Sequence, residues 1–323
     1  MILHISLNAQ SQSRDTKDMQ QSLQKLSTMY YLINNFYVDT ANLGSLTEEA
    51  IVAILKELDP HSAYISKKDV EKANEPLVGS FEGIGVTFQI FQDTILVISP
   101  VPGGPSDRVG IMAGDKIVTI DGEDAFGEKV NNDYVAKHLR GEKGTKVTLG
   151  IKRGKSDELI DYEVIRDKIP LNSIEAAFML DKNVGYIKLD RFAQTSNTEF
   201  EESLTKLKAQ KMKSLILDLR GNTGGYLNVA AELGNQFLKK DMTIVYTEGD
   251  KSPKQIFNTD KNGKFTDGKL IILIDEGSAS ASEIVSGAVQ DWDRGILIGR
   301  RSFGKGLVQR PFNLPDGSQV RLT

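Results

Sequence analysis

Two short segments carry residue types able to do covalent chemistry. One is Gly277-Ser278-Ala279-Ser280-Ala281-Ser282-Glu283-Ile284, which puts small residues and hydroxyls at the start of an apolar helical stretch. The other is Ser302-Phe303-Gly304-Lys305-Gly306, a lysine between two glycines just after a strand. A serine at a helix start attacks beside main-chain N–H groups that lack an intrahelical acceptor and carry partial positive charge. Such groups can hold the oxyanion of acyl transfer, and for Ser280 the N–H of Ala281 is the natural donor. Serine is also an ordinary helix cap, and Ser278, Ser280 and Ser282 leave the choice of nucleophile open. An attacking hydroxyl needs a base. Lysine serves only where its surroundings favour the neutral amine, and glycines on both sides of Lys305 allow close packing around it. A Ser–Lys pair needs neither histidine nor cysteine, which suits a chain with three His and no Cys.

A third segment, Asp218-Leu219-Arg220-Gly221-Asn222-Thr223-Gly224-Gly225, follows the buried-strand pattern Ser214 to Leu219. Consecutive glycines at a strand end let backbone N–H groups face a ligand, although the same residues also make an ordinary tight turn. The run from Gly299 to Gly306 approaches the spacing of a phosphate-binding loop. It lacks the hydroxyl after the lysine, and Leu307 to Phe312 reads as a strand closed by proline where that loop requires a helix. Nucleotide binding is therefore set aside.

The 323 residues are enough for two or three domains. With 39% hydrophobic and 26% charged residues the chain reads as soluble and globular. A net charge of −4 without a dominant basic stretch disfavours nucleic acid as a partner. The absence of cysteine excludes disulfides, thiolate metal sites and cysteine nucleophiles, and it is compatible with an oxidising compartment. No metal and no cofactor is expected. No apolar run reaches the length that spans a bilayer. Residues 1–17 are apolar and then abruptly polar. They read either as the tail of an export signal, with Leu7-Asn8-Ala9 like a small-residue cleavage site, or as a frayed, disordered terminus. At the other end, Gln319 to Thr323 reads as a strand cut in mid-sheet, so the chain is expected to stop before the natural fold does.

Residues 18–75 form a helical unit in this reading. Leu23, Leu26, Met29, Tyr30, Ile33 and Phe36 recur at helical steps, and a second helix opens at Thr47-Glu48-Glu49-Ala50 and ends at Asp59-Pro60. Such stripes ordinarily mean core packing, with a homodimer contact as their second use. Residues 76–166 change character, with short strands, a Pro/Gly-rich turn and the helix Asn132 to Leu139. The loop Gly83-Ile84-Gly85-Val86, the stretch Pro105 to Ile120 and the segment Leu139 to Thr145 together resemble a PDZ domain of the bacterial, permuted type. From 167 to 323 strands alternate with helices, which implies a layered α/β core with parallel pairing.

The three chemical segments in this order, behind a PDZ-like unit and the element Asp59-Pro60-His61-Ser62-Ala63-Tyr64, resemble the C-terminal processing peptidases, or tail-specific proteases. The resemblance implies a multi-domain α/β protein. Its crotonase-like and caseinolytic-like serine protease core would be joined to a PDZ domain and an N-terminal helical unit. It further implies that Ser280 is the nucleophile, Lys305 the general base and Gln309 the residue that orients the lysine. The oxyanion hole would pair Ala281 with Gly224 or Gly225. The PDZ loop Gly83, Ile84, Gly85 and Val86 would bind a substrate's terminal carboxylate. Arg140 would signal occupancy to the core. Partners would be proteins with apolar, unstructured C-terminal tails, and the setting a bacterial cell envelope, periplasmic or secreted. His61 is not expected to take part in the reaction, and His138 either lines the peptide groove or lies on the surface. Against the family pattern, Ser302 stands where threonine is commoner and Arg301 where an acidic or neutral residue is. The competing readings are a catalytically inactive PDZ scaffold that binds peptides and an acyl-CoA enzyme on a crotonase-like core.

Overall fold

Ser214–Asp218 and Lys269–Ile274 are short apolar runs with Leu215, Leu217 and Ile272 almost wholly buried. Strands of that kind belong in the middle of a parallel sheet covered on both faces. In the computed structural model they do. The structure describes residues 3–156 and 158–323, with side chains from residue 16 onward. It divides into residues 71–307 and a second unit of residues 1–70 with 308–323.

Within residues 71–307, a five-stranded sheet runs in the order Ile174–Met179, Val184–Leu189, Ser214–Asp218, Lys269–Ile274, Ile296–Gly299. The first pair is antiparallel and the other three pairs are parallel. Each parallel step is crossed by a helix: Ser196–Ala209, Leu227–Asn235 and Ala281–Asp291. The core beneath holds Phe200 and Phe237, ring centroids 5.7 Å apart and edge-on, with Leu189, Leu204, Leu233 and Val285. Each such side chain contributes about 1.5–3 kcal/mol on burial. Because Ser214–Asp218, Lys269–Ile274 and Ile296–Gly299 are adjacent and parallel, their C-terminal ends lie side by side. The three segments singled out above begin where these three strands end. In open α/β sheets this edge is where ligands bind.

The same unit contains a second sheet ordered Val86–Phe91, Thr94–Pro100, Lys116–Ile120, Lys146–Lys152, Leu159–Ile165. Ile95, Val97, Ile117, Leu149, Ile151 and Val164 alternate inward and are fully buried, and Val135 and Leu139 of the helix Asn132–Leu139 close over them. The strand Leu159–Ile165 closes one edge of this sheet, antiparallel to Lys146–Lys152. A short ribbon, Ser80–Gly83 with Asp167–Pro170, ties its two ends together.

The other unit begins with helices Leu3–Phe36 and Leu43–Leu58. The stretch read as an export-signal tail or frayed terminus lies on the first helix from Leu3 onward, while Met1 and Ile2 lie outside the described residues. The second helix starts four residues earlier than the expected Thr47, because Asn42 caps it by accepting the N–H of Ser45. The apolar stripe is also not a core. Leu23, Met29 and Phe36 are 59%, 45% and 72% exposed, and Leu55 is the buried residue of the second helix. Ala63–Ile65 and Arg310–Asn313 flank the central strand Gln319–Leu322 in an antiparallel sheet.

Candidate active site

Ser280 caps the helix Ala281–Asp291 and holds φ 55° and ψ −110°. A side chain other than glycine is strained there, and such strain is sustained only where neighbours over-determine the backbone. Its N–H donates to Glu283 Oε2 at 2.8 Å. The N–H of Ala281, first in the helix, meets no acceptor among the described residues.

The neighbouring serines are otherwise employed. Ser278 is fully buried and its hydroxyl donates to the Leu219 carbonyl at 2.8 Å. Ser282 is also fully buried and donates to the Asn222 carbonyl at 2.8 Å. Of the three, Ser280 alone is partly exposed. Burial and hydrogen bonding thus separate residues that composition could not.

The glycine turn packs directly on this segment. Gly224 has φ +106°, and a Cβ there would meet Ala279 O at 2.8 Å, Ala281 N at 3.0 Å and Ser280 Cβ at 3.0 Å. Only glycine allows so close an approach. The Gly224 N–H is taken by Asn222 Oδ1 at 2.9 Å, whereas that of Gly225 has no acceptor among the described residues. Asn222 is fully buried and central to the arrangement. Its Nδ2 donates to Leu189 O at 2.9 Å, and its own carbonyl accepts from Ala279 N and Ser282 Oγ.

The lysine segment is a coil fastened to the serine segment. Phe303 N–H donates to Ser278 O at 3.0 Å. Glu283 Oε1 accepts from Ser302 Oγ at 2.7 Å and Gly304 N at 2.6 Å, and its Oε2 accepts from Lys305 N at 2.9 Å. Burial disfavours the charge on Glu283, but the hydrogen bonds led by Ser302 outweigh it, so the carboxyl titrates below its ordinary value. Lys305 is partly buried and Arg301 exposed. Gln309 belongs to the other unit, where its side-chain nitrogen donates to the His61 carbonyl.

At the end of Ser214–Asp218, the Asp218 carboxylate is 1% exposed and binds Arg220 through Nε and Nη2. It also accepts from Tyr186 Oη at 2.7 Å. Burial opposes its charge, and Arg220 and then Tyr186 reverse the balance, holding the carboxyl below its usual range. Burial, reinforced by Asp218, pushes the Tyr186 phenol up to about 12.

In the second sheet Val86–Phe91 is an edge strand, paired on one side with Thr94–Pro100. The loop before it turns through Gly85 at φ +72°. The N–H of Gly85 meets no acceptor among the described residues, while the carbonyls of Ile84 and Gly85 accept from Ser106 and Val101. Val86, Phe88 and Ile90 face inward beside the helix Asn132–Leu139. His138 lies partly buried on that helix, its ring 4.1 Å from that of Tyr134. Arg140 pairs with Glu75 and lies 4.8 Å over the Phe81 ring.

Sequence reasoning missed Asn222, Asp218 and Glu283. Glu283 did leave a signal, since Ser280 and Glu283 have the spacing of a capping box. No group of three or more metal-ligating side chains occurs among the described residues, and no described helix is long and apolar enough to cross a membrane.

Three segments of the chain match known protein families. Residues 183–323 match peptidase family S41, residues 83–164 match the PDZ domain, and residues 4–69 match the activating protease CtpB N-terminal domain. A protein of Staphylococcus haemolyticus named "Probable CtpA-like serine protease" is 36% identical over 310 residues, covering 95% of this chain and 61% of that protein. One of the same name from Staphylococcus aureus strain MRSA252 is 34% identical over 325 residues, covering 100% and 64%. The chain thus spans less than two thirds of the length of these relatives. Among solved structures, a photosystem II D1 C-terminal processing protease is similar with a TM-score of 0.50 and 26% identity. That match covers 92% of this chain and 80% of the other.

Proposed function

Residues 183–323 of this chain are a peptidase family S41 domain preceded by a PDZ domain, and from that premise we propose a serine endopeptidase that cleaves proteins near their C-termini. Ser280 is its nucleophile and Lys305 its general base. The observation that carries this reading is the convergence of three loops from adjacent parallel strands on one strained serine.

In the first step the neutral Lys305 Nζ takes the Ser280 hydroxyl proton as Oγ bonds to the scissile carbonyl carbon. The resulting oxyanion is held by the N–H groups of Ala281 and Gly225. Gly225 is favoured over Gly224 because the Gly224 N–H already serves Asn222. The C–N bond then breaks, and the proton on the lysine passes to the leaving amine. Water, giving a proton back to Lys305, attacks the ester. The acyl carbon leaves as a carboxylic acid and the Ser280 hydroxyl is restored.

The PDZ domain captures the substrate's tail. The loop Gly83 to Val86 takes its carboxylate, with the Gly85 N–H as the open donor, the free edge of Val86–Phe91 adds it as a strand, and the apolar groove selects apolar side chains. The exposed apolar stripe of the N-terminal helices serves a homodimer contact, and the protein works in a bacterial cell envelope; cell fractionation tests the latter.

The decisive experiment is degradation of a disordered protein with and without an apolar C-terminal tag. Wild type should degrade the tagged form faster, and Ser280→Ala and Lys305→Ala should degrade neither. Tagged-peptide binding without cleavage by wild type would favour an inactive scaffold, and turnover of thioesters but not peptides an acyl-CoA enzyme.

A further inference from the structure

Glu283 has no part in the reaction above, yet it touches both halves of the site. Its Oε2 accepts the N–H of Ser280 and of Lys305, and its Oε1 accepts Ser302 Oγ and Gly304 N. Four donors from two separate loops end on one carboxylate. We infer that Glu283 is a positioning residue, whose carboxylate sets the lysine loop against the strained serine; the inference rests on the Ser280–Lys305 reading.

The geometry demands two acceptor oxygens. Three of the four donors are main-chain N–H groups and cannot reverse their role. Only the Ser302 hydroxyl can turn to accept. A carboxamide at this position therefore puts its NH2 against at least one main-chain N–H whichever way it is flipped. With NH2 at the Oε2 place it opposes both Ser280 and Lys305. With NH2 at the Oε1 place it opposes Gly304. Glutamine, equal in size and shape, consequently cannot hold both loops at once. A cap that mattered only to helix stability would make no such distinction, because one acceptor toward the Ser280 N–H suffices for it. Hydrogen bonds to a charged acceptor are also the stronger kind, which suits a clasp between loops that have no regular structure of their own.

The test measures kcat and KM on a tagged substrate together with thermal melting, using the full chain. Glu283→Gln should lower kcat about 100-fold, the scale of a displacement near 1 Å, with KM within about twofold and melting close to wild type; Glu283→Ala, which also removes the cap, should lower kcat at least as far and melt lower. Glutamine should not rescue. A Glu283→Gln enzyme with kcat near wild type overturns the inference, as does a fall in kcat matched by equal changes in KM and melting. Should the Glu283 variants fail to fold, Ser302→Ala removes one donor and keeps the carboxylate. It should lower kcat several-fold at unchanged KM, and wild-type kcat there overturns the inference. Retained activity in Ser280→Ala or Lys305→Ala would instead overturn the underlying catalytic reading, a separate result.

Discussion

Ser280 and Lys305 are joined through one atom: their main-chain N–H groups donate to Glu283 Oε2 at 2.8 and 2.9 Å. The link runs through backbone, so it survives any change of the two side chains. It explains how a coil after Ile296–Gly299 keeps a fixed relation to a helix that starts after Lys269–Ile274. Ser280→Ala and Lys305→Ala should therefore leave the loops in place, which makes them clean probes of chemistry.

Asn222→Ala should damage both stability and rate. It leaves the Leu189 carbonyl and the Gly224 N–H without their buried partner, at a cost of about 2–4 kcal/mol in urea denaturation. The freed Gly224 N–H also loosens the turn that carries Gly225. Activity measured well below the unfolding midpoint should fall by more than an order of magnitude.

Gly224→Ala should abolish most activity without removing any functional group. Its Cβ would sit 2.8 Å from the Ala279 carbonyl and 3.0 Å from the Ala281 nitrogen, at a φ of +106°. The serine segment must then move, and a loss of about 100-fold in kcat/KM is expected. A variant with wild-type kinetics would show that the turn and the serine do not act together.

Gly85→Ala should separate capture from cleavage. The added methyl would lie 2.9 Å from Ile169 Cδ1 at φ +72°, so the loop before Val86–Phe91 must shift. Binding of a labelled apolar-tailed peptide, followed by fluorescence anisotropy, should weaken about tenfold. Cleavage of a short untagged peptide should keep its kcat.

Acid should weaken the unit containing residues 1–70 through Asp59. The Ser62 hydroxyl above all, with the N–H groups of Ser62 and His61, holds this carboxyl at about 2 against an ordinary 3.8. The folded value is the lower one, so the stabilisation is full above 3.8 and is lost as pH falls through about 2. Denaturation profiles between these limits should be steeper for wild type than for Asp59→Asn. Equal slopes would show that Asp59 does not titrate between folded and unfolded chains.

Much of the fold was legible because it depends on local pattern. Apolar runs such as Ser214–Asp218 alternate with amphipathic helices, which calls for a parallel sheet, and the glycine-turned PDZ segments follow one another in order. The N-terminal helices were legible as helices, but the use of their stripe was not. Periodicity marks an apolar face and says nothing of what covers it, and Leu23 and Phe36 are exposed. The start of the second helix was misplaced because the Asn42 cap lies outside the apolar pattern.

By itself the sequence determined the chemical inventory: a serine run at a helix start, a lysine between glycines, a paired-glycine turn, and no cysteine. These are matters of residue type and near spacing, which the chain carries whatever its fold. Tertiary structure decided which members act together. Ser278 and Ser282 gave their hydroxyls to the carbonyls of Leu219 and Asn222, Gly224 gave its N–H to Asn222, and Glu283 became a clasp as well as a cap. The Gly224 bond is local to its turn, but the bonds of Ser278, Ser282 and Glu283 join residues far apart in the chain. Their partners exist only once parallel strands have brought their ends together, so no local reading of the residues contains them.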